Sequence, residues 1–338
     1  MSFIPATSHQ RVVPGWGDKA SKICIIGEAP GAEEDRLLRP FAGPAGTVLD
    51  QCLHAAGITR NECYLTNVVK VRPRNNDISP YFNSRTGGFT APGSDWVAAL
   101  REELSGVKSN VLVPLGATAM AALTGQKSIS KLRGYVTPTL PSFGGRKCLP
   151  AYHPAASLRG QYILRYYITA DLRKAKAEAA YPDLRRPERK LAIPESLSEC
   201  LEWLAYLGKQ PRLSIDIEVV NFEVSCIGFA PSPQLAVSIP MYHEHWDEAE
   251  ETSIWRAINA VLTNPNITKV FQNGIFDIHF LAVRNGIQVV GPINDTMIAH
   301  SIMYPEMLKG LGFLVSMYCG SQEYYKDMVK WDNIKEEA

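Results

Sequence analysis

Short apolar runs alternate with amphipathic stretches along the first half of the chain. The runs KICIIG, ECYLTNVV, NVLVPLG and KCLPAYHP predict buried strands, and AGTVLDQCLHAAG and SDWVAALREELSG carry apolar residues at helical spacing. Alternation of strands and helices predicts a parallel sheet that helices cover. Side chains that directly follow such strands line the ligand crevice of this fold class.

The second half has a different pattern. SLSECLEWLAYLGK, ETSIWRAINAVLTN and FDIHFLAVRNG predict helices, whereas RLSIDIEVV, VSCIGFAPSPQLAVSIP and KVFQNG predict strands. Between the halves lies a basic stretch with three prolines, YPDLRRPERKLAIPE at 181–195. We therefore expect two α/β domains, 1–185 and 196–338, joined by a linker at 186–195.

Charge is divided between the halves, although the formal net charge is only +1. Residues 1–190 contain 26 Lys and Arg against 15 Asp and Glu, and residues 191–338 contain 9 against 19. A basic half favours a polyanionic partner such as nucleic acid, and an acidic half is compatible with metal-binding carboxylates. Ordinary solvated surface charge is the alternative.

The apolar segments and the cysteines indicate the cellular compartment in which the protein is expected. No stretch approaches the ~20 apolar residues of a membrane span, and MSFIPATSHQ lacks the features of a signal peptide. The 7 cysteines are scattered and include no Cys-x-x-Cys pair. We expect reduced thiols in a cytoplasmic protein, in the host cytoplasm if a phage encodes it, without membrane association.

Residues 27–46, GEAPGAEEDRLLRPFAGPAG, form a glycine-rich and acidic stretch after the first strand. Such turns usually hold phosphate, but the carboxylates of Glu28 and Glu34 would repel it. Four further segments follow predicted strands: PF at 40–41, TNVVKVRP at 66–73, PLG at 114–116 and AYHPAASLRG at 151–160. All of them can meet at one edge of the sheet.

This set of motifs resembles the family 4 uracil-DNA glycosylases over residues 20–180. The carrying segments are GEAPGAEED, RPFAGPAG, TNVVKVRP, RG at 133–134 and HPAASLR. The resemblance implies the parallel-sheet uracil-DNA glycosylase fold. It also implies a DNA partner, single- or double-stranded, that contains uracil.

A glycosylase takes the target nucleotide out of the base stack. Phe41 is then the expected stacking platform, and the Asn67 amide can pair with O4 and N3–H of uracil but not with cytosine. Carboxylates at Glu28 and Glu34 would favour the positive charge on the sugar, and His153 would favour the negative charge on the departing base. The alternatives are core packing for Phe41, a turn cap for Asn67 and a strand-end residue for His153.

Leu158 and Arg159 follow His153 and are candidates for an intercalating wedge and a phosphate contact. A solvent-facing loop leucine would look the same.

The chain departs from the family at the iron–sulfur cluster. Typical members use four cysteines, but VVPGWGDKAS contains none, Val71 stands in place of the KCRP-type cysteine, and no cysteine occurs between Cys63 and Cys148. Because such clusters require thiolate ligands, we predict none here. The loop YFNSRTGGFTAPGSDW is a candidate structural replacement.

Asp216 and Glu218 in LSIDIEV leave the same face of a predicted strand, and Asp277 lies one helical turn after Asn273. Residues 190–338 resemble the DEDD 3′–5′ exonucleases, closest to the proofreading domains of phage family A DNA polymerases. The resemblance implies an RNase H-like (DnaQ-like) α/β fold and metal binding by Asp216, Glu218 and Asp277. Carboxylate oxygens suit Mg²⁺ or Mn²⁺.

A fourth carboxylate of the usual Tyr-x-x-x-Asp motif is not found. Asp327 and Asp332 lack the preceding tyrosine, and Asp295 is expected to cap a helix. We therefore expect weak or no exonuclease activity from this chain. His243 and His245, near Asp247, are expected in a polar loop.

The sequence thus predicts a phage-type replication or repair protein in which a glycosylase domain precedes an exonuclease domain. A DNA polymerase domain or subunit is its expected partner. The alternative is a non-catalytic module that senses uracil or scaffolds a replisome.

Overall fold

The computed structural model describes residues 10–242 and 245–319, which form two compact units. The described residues of the first unit are 10–186 and 312–319, and the second unit comprises 187–311. The division predicted from the sequence gave every residue up to 338 to the second domain. The structure differs at this end, because the described residues from Gly312 onward belong with the first unit.

The first unit is built on a largely parallel sheet. Its strands and those of a small hairpin are β1 (Ile23–Gly27), β2 (Cys63–Asn67), β3 (Phe82–Asn83), β4 (Gly88–Phe89), β5 (Val111–Pro114), β6 (Thr137–Pro138) and β7 (Lys147–Cys148). The sheet has the order β2-β1-β5-β7-β6, in which β6 is antiparallel to β7, while β3 and β4 form the hairpin. The predicted parallel sheet is confirmed.

Helices cover both faces of this sheet. They are α1 (Ala32–Leu37), α2 (Pro44–Ala55), α3 (Ala91–Ser105), α4 (Ala117–Thr124), α5 (Ile129–Leu132), α6 (Pro154–Ser157) and α7 (Leu164–Glu178). Ile25 packs with Leu49 of α2 and Leu172 of α7, whereas Ile26 packs with Leu100 of α3 and Leu123 of α4. Because both faces are buried, the central strands are apolar at nearly every position.

The second unit has a mixed sheet. Its strands are β8 (Lys190–Ala192), β9 (Arg212–Val220), β10 (Glu223–Ser232), β11 (Leu235–Pro240), β12 (Thr268–Phe271) and β13 (Ile293–Asp295), in the order β13-β12-β9-β10-β11-β8. The antiparallel strands β9 and β10 turn tightly at Asn221 and Phe222, both with positive φ, as a two-residue hairpin requires. Strand β8 lies within the predicted linker and pairs with β11.

The helices of the second unit are α8 (Leu197–Leu207), α9 (Glu248–Leu262), α10 (Ile275–Asn285) and α11 (Thr296–Met303). Leu204 of α8 and Ile254 of α9 belong to the same buried core as Ile215 of β9. A last helix, α12 (Leu311–Tyr318), follows and belongs from its second residue to the first unit. In the described ranges no helix has the length and apolar character that crossing a membrane requires.

Candidate functional site

The predicted site segments of the first unit meet at the carboxyl edge of its sheet. Gly27 at the end of β1 lies beside Asn67 at the end of β2 in the parallel register. Leu115, directly after β5, bridges to Ala151, which lies two residues before His153. This edge is where ligands bind in open α/β sheets.

Phe41, Asn67 and His153 converge there. The rings of Phe41 and His153 are stacked with 6.1 Å between centroids and 28° between planes. A Cβ added at Gly27 would lie 2.7 Å from Cζ of Phe41 and would collide with Oδ1 of Asn67, so both side chains reach across this glycine. Phe41 has φ +53°, a conformation that a bulky residue holds only when its surroundings enforce it.

Arg60 helps to hold Phe41 in this backbone conformation. Its guanidinium donates hydrogen bonds to the carbonyl oxygens of Pro40 (2.6 Å) and Phe41 (2.9 Å) and forms an ion pair with Asp50 (2.9 Å). Arg60 begins the short 3-10 helix Arg60–Glu62, far in sequence from the loop that it holds. The sequence alone does not indicate this role, because a lone arginine in a loop carries no signal.

Lys70 holds the strand end that presents Asn67. Asn67 is 4% exposed, and the buried Lys70 ammonium donates to its main-chain oxygen at 2.6 Å. Lys70 also contacts the Thr66 hydroxyl and the Glu103 carboxylate. Burial lowers the pKa of Lys70, and the charge of Glu103 opposes this shift. Nothing in the sequence indicates this buried network either.

Glu28 lies at the site and is partly exposed. It directly follows β1, and its carboxylate accepts a hydrogen bond from the hydroxyl of Thr118 in the first turn of α4. This contact leaves carboxylate lone pairs for a substrate or a water molecule.

Glu34 is held by main-chain amides at the start of two helices. Its side chain is buried, Oε2 accepts from the amide of Gly31 (3.1 Å) and Oε1 accepts from the amide of Gly43 (3.0 Å). These glycines begin α1 and α2, where a negative charge is favourable. These contacts fix the Glu34 carboxylate beside the Phe41 loop, and its expected role in bond cleavage stays a prediction.

His153 caps the short helix α6. Its Nδ1 accepts from the amide of Ala155 at 3.2 Å, so the proton of a neutral ring is on Nε2. Burial, followed by the positive charge of Arg159, lowers the pKa of His153 to about 4. The side chain is therefore a neutral hydrogen-bond donor at neutral pH.

Leu158 and Arg159 come directly after α6 and are exposed, with Leu158 at 46%. An exposed leucine beside the His153 loop is positioned as a wedge would have to be. Its role and that of Arg159 stay predictions.

The side chains present do not suit an iron–sulfur cluster. Val71 is fully buried and forms a backbone bridge with Val12, and Trp96 belongs to the same apolar core. Burial raises the pKa of Cys63 to about 12, which disfavours the thiolate that a cluster needs. Phe89 of the β3–β4 hairpin also packs against this core. The absence of a cluster stays a prediction, which this packing supports.

In the second unit, alternation along β9 places Asp216 and Glu218 on its exposed face. Asp277 of α10 is buried, and its Oδ1 accepts from the amide of Ile217 (3.0 Å), between these two residues in sequence. Burial raises the pKa of Asp277, and the charges of Asp295 and Glu218 add to the shift although backbone hydrogen bonds oppose it. A cation would relieve this repulsion between carboxylates.

Asp295 caps α11, as predicted. Its Oδ1 accepts from the amides of Met297 (2.8 Å) and Ile298 (3.1 Å), and its Oδ2 accepts from Gly274 (2.7 Å). Across 10–242 and 245–319, no three His, Cys, Asp or Glu side chains are arranged closely enough to hold a metal ion.

Some predicted features fall outside the described residues. They are Asp327 and Asp332, together with His243 and Glu244 of the expected polar loop. Of that loop, His245 packs against Trp246, and Asp247 caps α9.

A flat aromatic platform, an amide and an imidazole at one sheet edge define a site suited to binding a planar base. The profile of the Uracil DNA glycosylase superfamily matches residues 14–205, and the chain belongs to this superfamily. It is 38% identical over 174 residues to the type-4 uracil-DNA glycosylase of Thermotoga maritima, a match covering 50% of this chain and 84% of that protein. The corresponding enzyme of Archaeoglobus fulgidus is 35% identical, with 43% and 71% covered.

The second half matches the profile of a 3′-5′ exonuclease at residues 191–336. A DNA polymerase of Bacillus phage SP01 is 24% identical over 327 residues, which span 88% of this chain and 34% of the polymerase. Among solved structures, the catalytic core of RRP6 from Trypanosoma brucei matches with a TM-score of 0.34 and 18% identity, over 43% of this chain and 40% of that one. These domains imply that the chain binds DNA and that its second half is of a kind that uses divalent metals.

Proposed function

We propose that the first unit hydrolyses the N-glycosidic bond of deoxyuridine in DNA. The observation that carries this proposal is the convergence of Phe41, Asn67 and His153 at the carboxyl edge of the sheet, with Glu28 beside them. Membership of the uracil-DNA glycosylase superfamily supports it. The substrate is uracil-containing DNA, single- or double-stranded.

Recognition uses a flat surface and an amide. An everted uracil stacks on the Phe41 ring, and the Asn67 amide donates to O4 and accepts from N3–H. Cytosine reverses this donor and acceptor pattern. Asn67 is buried, and Lys70 holds its main-chain oxygen, so its side chain projects from a fixed strand end. Leu158 fills the space that the everted base leaves, and Arg159 contacts a phosphate.

Bond cleavage separates charge. The bond between C1′ and N1 breaks with its electron pair leaving on uracil, and the oxygen of a water molecule bonds to C1′. Nε2–H of His153 donates to uracil O2, which carries the developing negative charge. Glu28 stabilises the positive sugar or orients the water. The water loses a proton to solvent as the new C1′–O bond forms, and the uracil anion takes up a proton from solvent.

Uracil excision with an Asn67→Ala variant tests the proposal. We expect wild-type protein to produce abasic sites in uracil-containing DNA, and the variant to lose about 10- to 100-fold in rate together with its preference for uracil over cytosine. The measurement is alkaline cleavage of labelled oligonucleotides. Asn259→Ala, in an exposed position of α9, is the matched control. Absence of abasic sites with the wild-type chain would reject the proposal.

The low pKa of His153 has two consequences for pH dependence. Between pH 6.5 and about 4 the unfolded chain binds a proton that the folded chain refuses, so stability falls as pH falls through this window, by at most ~3 kcal/mol. His153→Asn should remove this part of the loss in urea titrations at pH 4.5 and 7. We also expect the wild-type excision rate to show no histidine inflection between pH 6 and 7. An inflection there that His153→Asn abolishes would contradict a neutral ring.

For the second unit we propose a 3′–5′ exonuclease site in which Asp216, Glu218 and Asp277 would hold Mg²⁺ or Mn²⁺. Their side chains are not grouped as a metal site in the described structure, so they would have to draw together around the ion. The exposed strand face and the raised pKa of Asp277 support it. The metal would stabilise the attacking and leaving oxygens of the phosphodiester. We further propose a DNA polymerase domain or subunit as partner and the cytoplasm as location, as for a phage-type replication protein.

Because three carboxylates are assigned and a fourth is not, we expect weak trimming of single-stranded DNA at most. Any trimming should require Mg²⁺ or Mn²⁺, stop with EDTA and disappear in Asp277→Asn, while Glu248→Gln in the exposed first turn of α9 keeps it. Gel analysis of 3′ end-labelled and 5′ end-labelled DNA measures both polarity and rate. Robust trimming by the chain alone would show that three carboxylates suffice or that another residue completes the set.

A further inference from the structure

The segment Gly312–Cys319, which we call the strap, lies inside the exonuclease match in sequence but belongs to the first unit in structure. It comprises α12 from its second residue and the residue after it. Its Leu314 and Ser316 are buried, at 6% and 4% exposure. Phe313, Ser316 and Met317, at helical spacing, form the face that contacts the first unit.

Three polar side chains of the first unit bind strap atoms. Arg133, itself 2% exposed, donates to the Ser316 hydroxyl at 2.9 Å and pairs with Asp171. The Tyr135 hydroxyl donates to the carbonyl oxygen of Gly312. The Lys174 ammonium donates to the carbonyl oxygens of Ser316 (2.6 Å) and Cys319 (2.7 Å), so that it caps the end of α12.

Gly134 shows how closely the backbone of the strap approaches the first unit. Its φ is +76°, and a Cβ at this position would lie 2.6 Å from the carbonyl oxygen of Ser316 and 2.8 Å from Oδ1 of Asp171. The dipeptide Arg133–Gly134 thus provides both a buried cation and the room for the strap backbone. A buried guanidinium without partners is costly, so its contact with Ser316 contributes to the specificity of this docking.

An aromatic path runs from the strap to the base site. The Phe313 ring meets the Tyr167 ring edge-on at 5.1 Å, and Tyr167 lies 6.2 Å from Tyr152, which directly precedes His153. The Arg133 guanidinium lies 5.5 Å from the ring centres of both Tyr167 and Phe313. The rings of Phe313, Tyr167 and Tyr152 thus form a continuous row of contacts that ends at the residue before His153.

We propose that the strap completes the glycosylase site: Phe313, acting through Tyr167 and Tyr152, is a positioning residue for His153. This inference rests on the proposed function, and it means that a glycosylase domain cut at residue 186 lacks one of its structural elements. The occupant of the face around Arg133 and Tyr167 is the chain's own strap.

The test uses the full chain with Phe313→Ala, Phe313→Leu and the control Ile302→Ala, an exposed α11 position at 78%. We expect Phe313→Ala to lower kcat for uracil excision about tenfold with little change in KM, because a misplaced catalytic group affects the chemical step. Phe313→Leu should recover part of the loss, and Ile302→Ala should match wild type. Hydrogen exchange of the 312–319 amides reports docking independently of activity.

Each outcome of the exchange and excision measurements supports or overturns the inference. Two results together support the inference: the strap amides are protected in wild type but exchange in Phe313→Ala, and kcat for uracil excision is lower in that variant. Unprotected strap amides in wild type overturn the docking, and loss of protection with unchanged kcat overturns the positioning role. If the wild-type chain excises no uracil, the proposed function fails, while the exchange measurement still tests whether the strap docks.

Discussion

Replacement of His153 by alanine is expected to lower the rate of uracil excision by about 10²–10³-fold, the usual effect of losing one donor to a developing anion. The ring lies 6.1 Å from that of Phe41, and with Nδ1 engaged by the Ala155 amide its only donor is Nε2–H. The substrate base is neutral and becomes negative only as the bond breaks, so most of the loss should be in kcat. Single-turnover excision of uracil from labelled DNA measures it.

The capping role of His153 needs its own control. Asparagine is a good N-cap, so His153→Asn should retain α6 and the overall stability while it loses most of the excision rate. His54→Ala, which removes an exposed imidazole from α2, should leave excision unchanged. Excision within a few-fold of wild type in both His153 variants would show that another group supports the leaving base.

The sheet edge could be predicted because it follows from local patterns. The runs that became β1 and β5 are apolar at nearly every position, as strands buried on both faces must be. The polar motifs begin where these runs end, and Asn67 ends β2. The positions of Asn67 and His153 at one edge follow from parallel pairing alone. Along β9, the strict alternation of apolar and polar residues predicted equally directly that Asp216 and Glu218 share its exposed face.

Side-chain roles that depend on loop geometry could not be predicted. Both oxygens of Glu34 accept from amides, one of them nine residues away at Gly43, and nothing in the sequence indicates these contacts. Arg60 and Lys70 look like surface cations in the sequence, yet one holds the carbonyl of Phe41 and the other that of Asn67. Such contacts exist only once distant segments are brought together.

The boundaries of the second domain also depend on contacts between segments that are distant in the sequence. Lys190–Ala192 follows a proline-rich basic run and was expected as linker, but it pairs with β11 at an open sheet edge. The helix α12, LGFLVSMY, is apolar at most positions, so its sequence does not indicate which surface it covers. Its partners, Arg133 and Lys174, are about 140–180 residues away in the chain.

Gly46→Ala is expected to abolish most of the excision activity, although alanine is intrinsically better than glycine in a helix by ~1 kcal/mol. Gly46 lies in the first turn of α2, where a Cβ would collide with the carbonyl oxygen of Phe41. That carbonyl is held at 2.9 Å by Arg60, and Phe41 already has φ +53°, so the loop cannot shift without moving the stacking ring.

We therefore expect Gly46→Ala to lower the excision rate by about 10²-fold through the misplaced platform, and to destabilise the first unit by ~1–3 kcal/mol through overpacking. Excision assays and urea titration measure the two effects. Gly88→Ala is the control, because a Cβ there would meet only the Thr86 hydroxyl at an ordinary 3.4 Å. A Gly46→Ala protein with wild-type excision and stability would mean that the Phe41 loop is free to move. The stacking platform would then have to form only when the base arrives, and the positive φ of Phe41 could not be what holds it ready.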